Sequence, residues 1–307
     1  MKIKTVAILG AGAVGSYVIW GLAGLKDVRL GLIAQGERQE RLRKEGCLIN
    51  DEVYRPEVWT PEEAHNTGVD LLIVSLKYGA LKAAIGENTI VMSLMNGVDS
   101  EDIIADRIGM SHIVYSLIKV ASHRDGRGYY FNPDTTIGII FGETADKVSA
   151  SDKISEQTPV SDRIKLIDEL FAASRLNYRV TEHIKEEMWS KFRLNVSNNL
   201  PQAVLGAGVG CYRDSEHMKA ISDGLRHELE TIAKAKGIDL SVIDNSSSRG
   251  SAVPPTARYS TLQDIDAKRH TEIDMFSGAL MRMGEEFGIP TPYNEYTYHI
   301  IKAIEEK

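Results

Sequence analysis

The stretch "TVAILGAGAVGSYVIWGL", residues 5–22, places two apolar runs on either side of a glycine-rich turn. The first run, Thr5 to Leu9, has the short β-branched and aliphatic pattern of a buried strand. Gly10, Gly12 and Gly15 follow with GxGxxG spacing, and the residues after them predict a helix. A strand, this turn and a helix together indicate the start of a dinucleotide-binding fold.

Each of the three glycines has its own structural role in this turn. Gly10 permits the tight turn, Gly12 lets the backbone approach a pyrophosphate, and Gly15 lets the helix pack closely on the sheet. Backbone N–H groups and the positive end of the helix then face the anion. The predicted cofactor contacts in the turn therefore also include Ala11, Ala13 and Val14. The alternative is that the glycines serve only a tight strand-to-helix turn, which the second strand that follows the helix disfavours.

Further apolar runs predict the rest of the fold. The runs "VRLGLIA", "DLLIVSL", "TIVMSLM" and "HIVYSLI" alternate with helical stretches, which is typical of a doubly wound parallel sheet. After Ile118 the segment "GRGYYFNPDTTIGIIFGE" favours a hairpin, and from about residue 182 only helical periodicity is present. We therefore predict a Rossmann-type doubly wound sheet in residues 1–180, which binds the dinucleotide, and an all-helical substrate and catalytic domain in residues 181–307.

Composition excludes several classes of partner. The chain has 307 residues and a formal net charge of -7, which argues against a nucleic-acid or anionic-membrane partner because either would repel it. The two cysteines lack the spacing of a zinc site or a disulfide framework, so we interpret them as reduced thiols of a cytoplasmic protein. The eight histidines show no HxxxH or HExxH spacing, and we predict no metal.

The residue at the end of the second strand selects the cofactor. An acidic residue there favours NAD, and a basic one accommodates the 2'-phosphate of NADP. The sequence there is "LIAQGERQER", in which Arg38 and Arg41 follow Gln35 and no acidic residue ends the strand. This pattern favours NADPH over NADH, with Gln35 and Arg38 at the nucleotide. The alternative is that both arginines are ordinary solvated helix charges.

The stretch "WSKFRLNVSNNL", residues 189–200, carries polar side chains on an otherwise apolar helix. At 3.6 residues per turn from Ile184, Lys191 and Asn195 share one face. Met188, Asn198 and Asn199 lie on the same face. The other faces carry Trp189, Phe192, Leu194, Val196 and Leu200, which predicts a buried helix. Buried amides and a buried charge need partners, so the polar face indicates a functional site. The alternative is a lysine that extends to the surface and asparagines that cap a helix break before Pro201.

A second polar anomaly lies near the C-terminus. Spacings of three and four predict one helix from Leu262 to Phe287, with Arg269 and Glu272 within its apolar face. A buried Glu–Arg pair can be purely structural. If Glu272 has a partner elsewhere, Lys191 is the candidate.

The chain resembles the ketopantoate reductase family over essentially its whole length. The likeness rests on "ILGAGAVGS", "LLIVSLKYGAL", "SLMNGVDS", "WSKFRLNVSNNL", "YSTLQDIDAKRHTEIDMFSG" and "GIPTPYN". It implies reduction of 2-dehydropantoate (ketopantoate) to (R)-pantoate, a step of pantothenate and coenzyme A biosynthesis. It also implies that Lys191 is the general acid and Glu272 the second catalytic residue. The implied substrate contacts are Asn96, Asn195, Asn199 and Ser260, and Lys77 and Asn96 match positions that face the nicotinamide and the substrate.

Two positions differ from the family pattern. Many relatives have an arginine at the position of Gln35, and Tyr259-Ser260-Thr261 replaces the usual Ser-Ser-Met. Two alternatives therefore stay open: a dehydrogenase for another D-2-hydroxy acid, with NADH or NADPH as its cofactor, and a sensor that binds NADP without turnover. We expect a small 2-keto acid as the substrate and count a homodimer among the candidate assemblies.

Overall fold

The structure, a computed structural model, describes residues 2–76, 84–144, 161–243 and 254–307. The chain divides into two compact units. Residues 1–95 and 100–184 form the first, which we call the sheet unit, and residues 96–99 and 185–307 form the second, the helical unit. The predicted fold class, a Rossmann-type sheet followed by a helical domain, is confirmed.

The sheet unit contains two sheets among its described residues. The strands are β1 (Thr5–Leu9), β2 (Arg29–Ile33), β3 (Cys47–Ile49), β4 (Glu52–Tyr54), β5 (Glu57–Trp59), β6 (Leu71–Val74), β7 (Ile90–Ser93), β8 (Ile113–Lys119), β9 (Ser122–Asp125), β10 (Gly128–Phe131), β11 (Gly138–Gly142) and β12 (Tyr178–Val180). The larger sheet has the order β12-β11-β8-β7-β6-β1-β2-β5, and the smaller one β4-β3-β10-β9. In the larger sheet only β8 and β11 pair antiparallel; the remaining pairs are parallel.

Helices cover the sheet and build the second unit. Those of the sheet unit are α1 (Ala13–Leu22), α2 (Gly36–Glu45), α3 (Pro61–Thr67), α4 (Ser100–Ile108) and α5 (Asp162–Ala172). The helical unit contains α6 (Ile184–Leu194), α7 (Leu200–Leu205), α8 (Cys211–Asp214), α9 (Glu216–Ala235), α10 (Ser260–Asp266), α11 (Ser277–Phe287) and α12 (Pro292–Glu305). Short 3-10 turns occupy Met110–His112, Pro133–Thr135 and Leu240–Val242.

Side chains of β1 pack into two different cores. Val6 and Ile8 belong to one apolar cluster, whereas Ala7 and Leu9 belong to another. Successive side chains of a strand point to opposite faces, so the sheet is buried on both faces. This double burial explains why its strands are continuous apolar runs in the sequence.

Two details of the helical unit differ from the prediction. The predicted helix from Leu262 to Phe287 is two helices, α10 and α11, because Lys268 takes a left-handed backbone with φ +52 and ends the first. Arg269 then pairs with Asp264 at 2.7 Å. Leu194, predicted to be buried, is 43% exposed because it lies on the outer side of α6.

Candidate active site

The glycine-rich turn follows β1 at its carboxyl end and leads directly into α1. β1 pairs with β2 on one side and with β6 on the other. The chain therefore reverses its direction of winding at β1, and the carboxyl edge of the sheet at such a switch point is where dinucleotides bind.

The three glycines meet different physical demands. Gly10 has φ +117, which L side chains rarely adopt, and a Cβ at Gly15 would lie only 1.8 Å from the Gly10 carbonyl oxygen. At Gly12, by contrast, an added Cβ would meet nothing within 4 Å. The first turn of α1 contains no acidic residue. Open space at Gly12 and uncompensated N–H groups at the start of a helix fit the pyrophosphate of a dinucleotide. Ala11, Ala13 and Val14 are partly exposed in the same turn.

At the end of β2, Gln35 precedes α2 in an extended conformation, with φ -134, and its side chain is exposed. Arg38 is half-buried and Arg41 exposed one turn further on. Burial raises the pKa of Cys47 to about 11, and the positive charges of Arg38 and Arg41 partly oppose that shift. The charges of both guanidinium groups therefore act on Cys47, the first residue of β3.

The polar helix face is interrupted by a wider turn. Residues Asn195–Asn199 form a π-helical turn that joins α6 directly to α7. The helix break before Pro201, which belonged to the alternative interpretation, is therefore absent, and Pro201 lies in the first turn of α7. Single π turns inside helices occur frequently at functional sites. Lys191 and Asn195 are half-buried on this helix, and Asn199 is buried.

Lys191, Asn96 and Glu272 form a chain of hydrogen bonds within the helical unit. The Lys191 ammonium donates to Asn96 Oδ1 at 2.8 Å, and Asn96 Nδ2 donates to Glu272 Oε2 at 2.7 Å. An amide is suited to the middle position because its oxygen accepts and its nitrogen donates. The predicted catalytic pair is thus connected through Asn96, and a negative carboxylate and a positive ammonium are held at its two ends.

A second group of polar side chains, with three members, lies around the π turn. Asn199 Nδ2 donates to Ser260 Oγ at 3.3 Å and points toward Asn195 Oδ1 at 3.5 Å. Ser260 is the first residue of α10 and is exposed. The structure therefore places three of the predicted substrate contacts next to one another. These long bonds are weak, so the three side chains can exchange them for bonds to a ligand.

Gln202, which the sequence interpretation missed, supports this second group. Its side chain is fully buried, donates to the Ala257 carbonyl at 3.1 Å and accepts from the Tyr259 backbone N–H at 2.6 Å. It thereby fixes the segment that leads into Ser260. The signal for it was present, because Gln202 follows Asn199 by three residues on the same apolar helix.

One predicted residue, Lys77, lies outside the described residues. Within the described ranges, no cluster of three or more His, Cys, Asp or Glu side chains could hold a metal ion. The described helices also include none with the length and apolar character of a membrane span.

Comparison with known proteins adds independent findings. Residues 6–143 match the family model "Ketopantoate reductase PanE/ApbA", and residues 183–305 match the model of its C-terminal part. A 2-dehydropantoate 2-reductase from Archaeoglobus fulgidus is 25% identical over an alignment of 327 positions, gaps included, that covers 99% of each chain. A PanE/ApbA family ketopantoate reductase from Ralstonia eutropha JMP134 superposes with a TM-score of 0.79 at 22% identity, covering 98% of each chain. D-mandelate dehydrogenase with NADH and anilino(oxo)acetate also has a TM-score of 0.79, at 20% identity and 98% coverage of each chain.

A glycine turn at the switch point of a Rossmann-type sheet, followed by a helical unit that contains a hydrogen-bonded lysine, is typical of an NAD(P)H-dependent oxidoreductase. Both halves of the chain match models of one family. The protein belongs to the ketopantoate reductase family, so the prediction that it is an enzyme is confirmed.

Proposed function

We propose that this protein reduces 2-dehydropantoate to (R)-pantoate with NADPH, a step of pantothenate and coenzyme A biosynthesis. The observation that carries the proposal is the Lys191–Asn96–Glu272 hydrogen-bond chain. It supplies a proton donor that is held by an amide and balanced by a carboxylate. The name of the Archaeoglobus fulgidus relative supports the choice of substrate.

The sheet unit holds the cofactor in this proposal. The open space at Gly12 receives the pyrophosphate, with backbone N–H groups of the turn directed at it. Gln35 and Arg38 lie at the adenosine ribose, where the arginine charge favours the 2'-phosphate of NADPH over NADH. When it is bound, the reduced nicotinamide supplies a hydride to the carbonyl carbon. Lys77 and Asn96 are assigned to the nicotinamide side of the site.

Lys191 supplies the proton in this proposal. As the carbonyl carbon is reduced, negative charge develops on its oxygen, and an ammonium beside it stabilises the charge and donates the proton. Asn96 Oδ1 fixes the direction of the lysine side chain. Glu272 fixes the Asn96 amide in turn, and its negative charge favours the protonated form of Lys191.

Asn195, Asn199 and Ser260 bind the rest of the substrate in this proposal. Their amide and hydroxyl groups can pair with a carboxylate and a hydroxyl without adding charge to the site. Their present bonds to one another are long, at 3.3 and 3.5 Å, and little is lost when a substrate replaces them.

Three further assignments belong to the proposal. Cofactor binding is assigned to residues 1–180 and substrate chemistry to residues 181–307. The free thiols of Cys47 and Cys211 fit a reducing cytoplasm. Exposed apolar side chains, among them Leu194 at 43% and Leu205 at 56% exposure, are consistent with a homodimer, which sedimentation analysis would test.

The decisive experiment follows absorbance at the NADPH band for a small panel of 2-keto acids with NADPH and with NADH. We expect 2-dehydropantoate to be reduced fastest and with NADPH. Reduction of another 2-keto acid but not of 2-dehydropantoate would assign a different substrate. Tight NADPH binding without turnover of any member would contradict the proposal.

Lys191→Ala tests the assigned acid in the same assay. We expect kcat to fall at least about a hundredfold because general acid catalysis contributes that much, whereas NADPH binding should be retained. A kcat near that of the unmodified enzyme would remove Lys191 from this role.

A further inference from the structure

Glu272 lies outside regular secondary structure, in the segment between α10 and α11. No helical hydrogen bonds fix the backbone on the N-terminal side of such a residue. Other restraints are therefore needed to keep the Glu272 carboxylate in its 2.7 Å hydrogen bond with Asn96. On its C-terminal side the restraint is local, because the backbone N–H groups of Met275 and Phe276 donate to the Glu272 carbonyl at 2.9 and 3.1 Å.

On its N-terminal side the restraint comes from the last turn of α12. Glu305 Oε1 accepts two hydrogen bonds from Thr271, one from the backbone N–H at 2.6 Å and one from Oγ1 at 2.7 Å. Thr271 Oγ1 also accepts from the Ile273 backbone N–H at 3.2 Å. The Glu305 and Thr271 side chains thus tie down the residues immediately before and after Glu272.

The Glu305 carboxylate is itself well held. Its side chain is only 4% exposed, and Oε2 lies 3.2 Å from the Lys302 ammonium. Hydrogen bonds to charged groups are stronger than those between neutral groups, and burial strengthens them further. Glu305 is therefore held by burial and by Lys302, and it binds Thr271 from 34 positions away in the sequence.

We propose that Glu305 is a positioning residue, which acts on the reaction by holding Thr271 and hence the Glu272 carboxylate against Asn96. The proposal rests on the proposed function, in which Glu272 and Asn96 orient Lys191. A displaced Glu272 would release Asn96 and through it the lysine, and misplacement of a catalytic group by about 1 Å can cost up to about a hundredfold in rate.

The test compares three single variants by kcat and KM. In Glu305→Ala we expect kcat to fall about tenfold while the KM for the keto acid changes less than about threefold. Glu305→Gln keeps an oxygen acceptor for both Thr271 donors and should retain most of the kcat. Glu306→Ala is the matched control, since it removes an acidic side chain from the next, exposed position and should behave as the unmodified enzyme.

A double-mutant cycle distinguishes positioning from a general structural effect. If Glu305 acts through Glu272, Glu305→Ala should lower kcat less than about twofold further in a Glu272→Ala background, in which Asn96 Nδ2 has lost its acceptor. An equal loss in both backgrounds would overturn the proposal, and so would an unchanged kcat in Glu305→Ala when Glu272→Ala alone lowers it. An unchanged kcat in Glu272→Ala would instead reject the assigned role of Glu272, and the positioning role with it.

Hydrogen–deuterium exchange provides a readout that needs no activity. We expect peptides containing residues 271–273 to exchange at least about tenfold faster in Glu305→Ala than in Glu305→Gln, because only the first leaves the Thr271 N–H without its acceptor. Equal exchange in the two variants would overturn the proposal. If Glu305→Ala fails to fold, Thr271→Val and Thr271→Ser give the same comparison, since only serine keeps the hydroxyl that Glu305 binds.

Discussion

The Lys191 ammonium donates a 2.8 Å hydrogen bond to Asn96 Oδ1, although the two residues are 95 positions apart in the sequence. Asn96 follows β7 in the sequence, but residues 96–99 cluster with the helical unit. The segment therefore brings an amide from the sheet half of the sequence to a lysine and a glutamate of the helical half. The position of the Lys191 side chain depends on this non-local amide as well as on the helix that carries the lysine.

Asn96→Asp should make catalysis depend on pH in a new way. The change replaces the Nδ2 donor, 2.7 Å from Glu272 Oε2, with a second carboxylate oxygen. Two carboxylates at that distance repel, which raises the pKa of one of them. Below that raised pKa a shared proton restores the donor, and above it the network is broken. We expect kcat relative to the unmodified enzyme to fall at least about tenfold at high pH and to recover as the pH is lowered.

The matched control for this variant is Asn132→Asp, which makes the same chemical change in the sheet unit. Asn132 Oδ1 accepts from the Asp134 backbone N–H at 2.9 Å, and a carboxylate can accept that bond equally well. Its kcat should follow that of the unmodified enzyme at each pH. A ratio of Asn96→Asp to unmodified kcat that stays constant from pH 5 to 9 would contradict the role of Asn96 as a bridge.

The sequence predicted those features whose signal is local. Buried parallel strands appear as apolar runs, and the spacing of Lys191 and Asn195 placed both on one helix face. The smaller sheet was not predicted, because its strands are short and β10 joins β3 through a distant pairing of Tyr129 with Ile49. The hairpin predicted in residues 126–143 was wrong, since β10 pairs with β9 in the smaller sheet and β11 pairs with β8 in the larger one. The interruption at Lys268 was also missed, since lysine has no preference for the left-handed backbone that ends α10.

The connections within the candidate site were the least predictable part. Asn96 belongs to a different region of the sequence from Lys191 and Glu272, and no periodicity relates the three. A family resemblance assigned roles to them separately, whereas their hydrogen bonds depend on the tertiary fold. Gln202 was missed although it follows Asn199 by three residues on the same apolar helix, because the sequence does not show that its amide binds the backbone of residues 257 and 259.

Gln202→Met should weaken substrate binding more than it slows the reaction. Methionine has a similar length but cannot bond to the Ala257 carbonyl or the Tyr259 N–H, so the segment before Ser260 loses its anchor. Interactions that bind substrate and transition state equally affect KM rather than kcat. We expect the KM for the keto acid to rise about tenfold, equivalent to one or two hydrogen bonds, with a smaller change in kcat.

Gln263→Met is the corresponding control. Gln263 also donates to a backbone carbonyl of this segment, that of Arg258 at 2.7 Å, but its side chain is exposed and water can replace the bond. Its KM should stay within about twofold of the unmodified value, because water-mediated bonds cost little. An equal rise in KM for both variants would show that Gln202 has no special role at Ser260.

Gln35→Arg should increase the preference for NADPH over NADH. Gln35 is exposed and has an extended backbone before α2, so an arginine fits there without strain. A guanidinium can form charge-assisted hydrogen bonds with the 2'-phosphate, worth about tenfold in affinity. We expect the ratio of the two kcat/KM values to shift by about that factor. An unchanged ratio would indicate that another residue binds the phosphate, and a loss of NADPH preference in Arg38→Gln would then identify it.

Glu101→Gln should stabilise the protein at alkaline pH. Glu101 is 1% exposed, and Ser100 Oγ donates to its Oε2 at 2.7 Å. Burial raises the pKa of Glu101 to about 7, above its ordinary value of 4.5, and hydrogen bonds from Ser100 and from the backbone N–H groups of Glu101 and Ser116 only partly oppose this. The folded protein therefore binds this proton more tightly than the unfolded chain does.

The direction of the pH effect follows from that difference. The contribution of the protonated carboxyl to stability is fully present below about pH 4.5 and is lost as the pH rises through about 7. Glutamine is neutral throughout and imitates the protonated form. The gain in unfolding free energy of Glu101→Gln over the unmodified protein should therefore grow from near zero at pH 4.5 to on the order of 3 kcal/mol at pH 8.5.

Thermal unfolding at the two pH values measures this gain. Glu62→Gln, an exposed charge change on α3, is the control. A Glu101→Gln protein whose melting temperature has the same pH dependence as the control would show that the carboxyl is ionised in the folded state across this range.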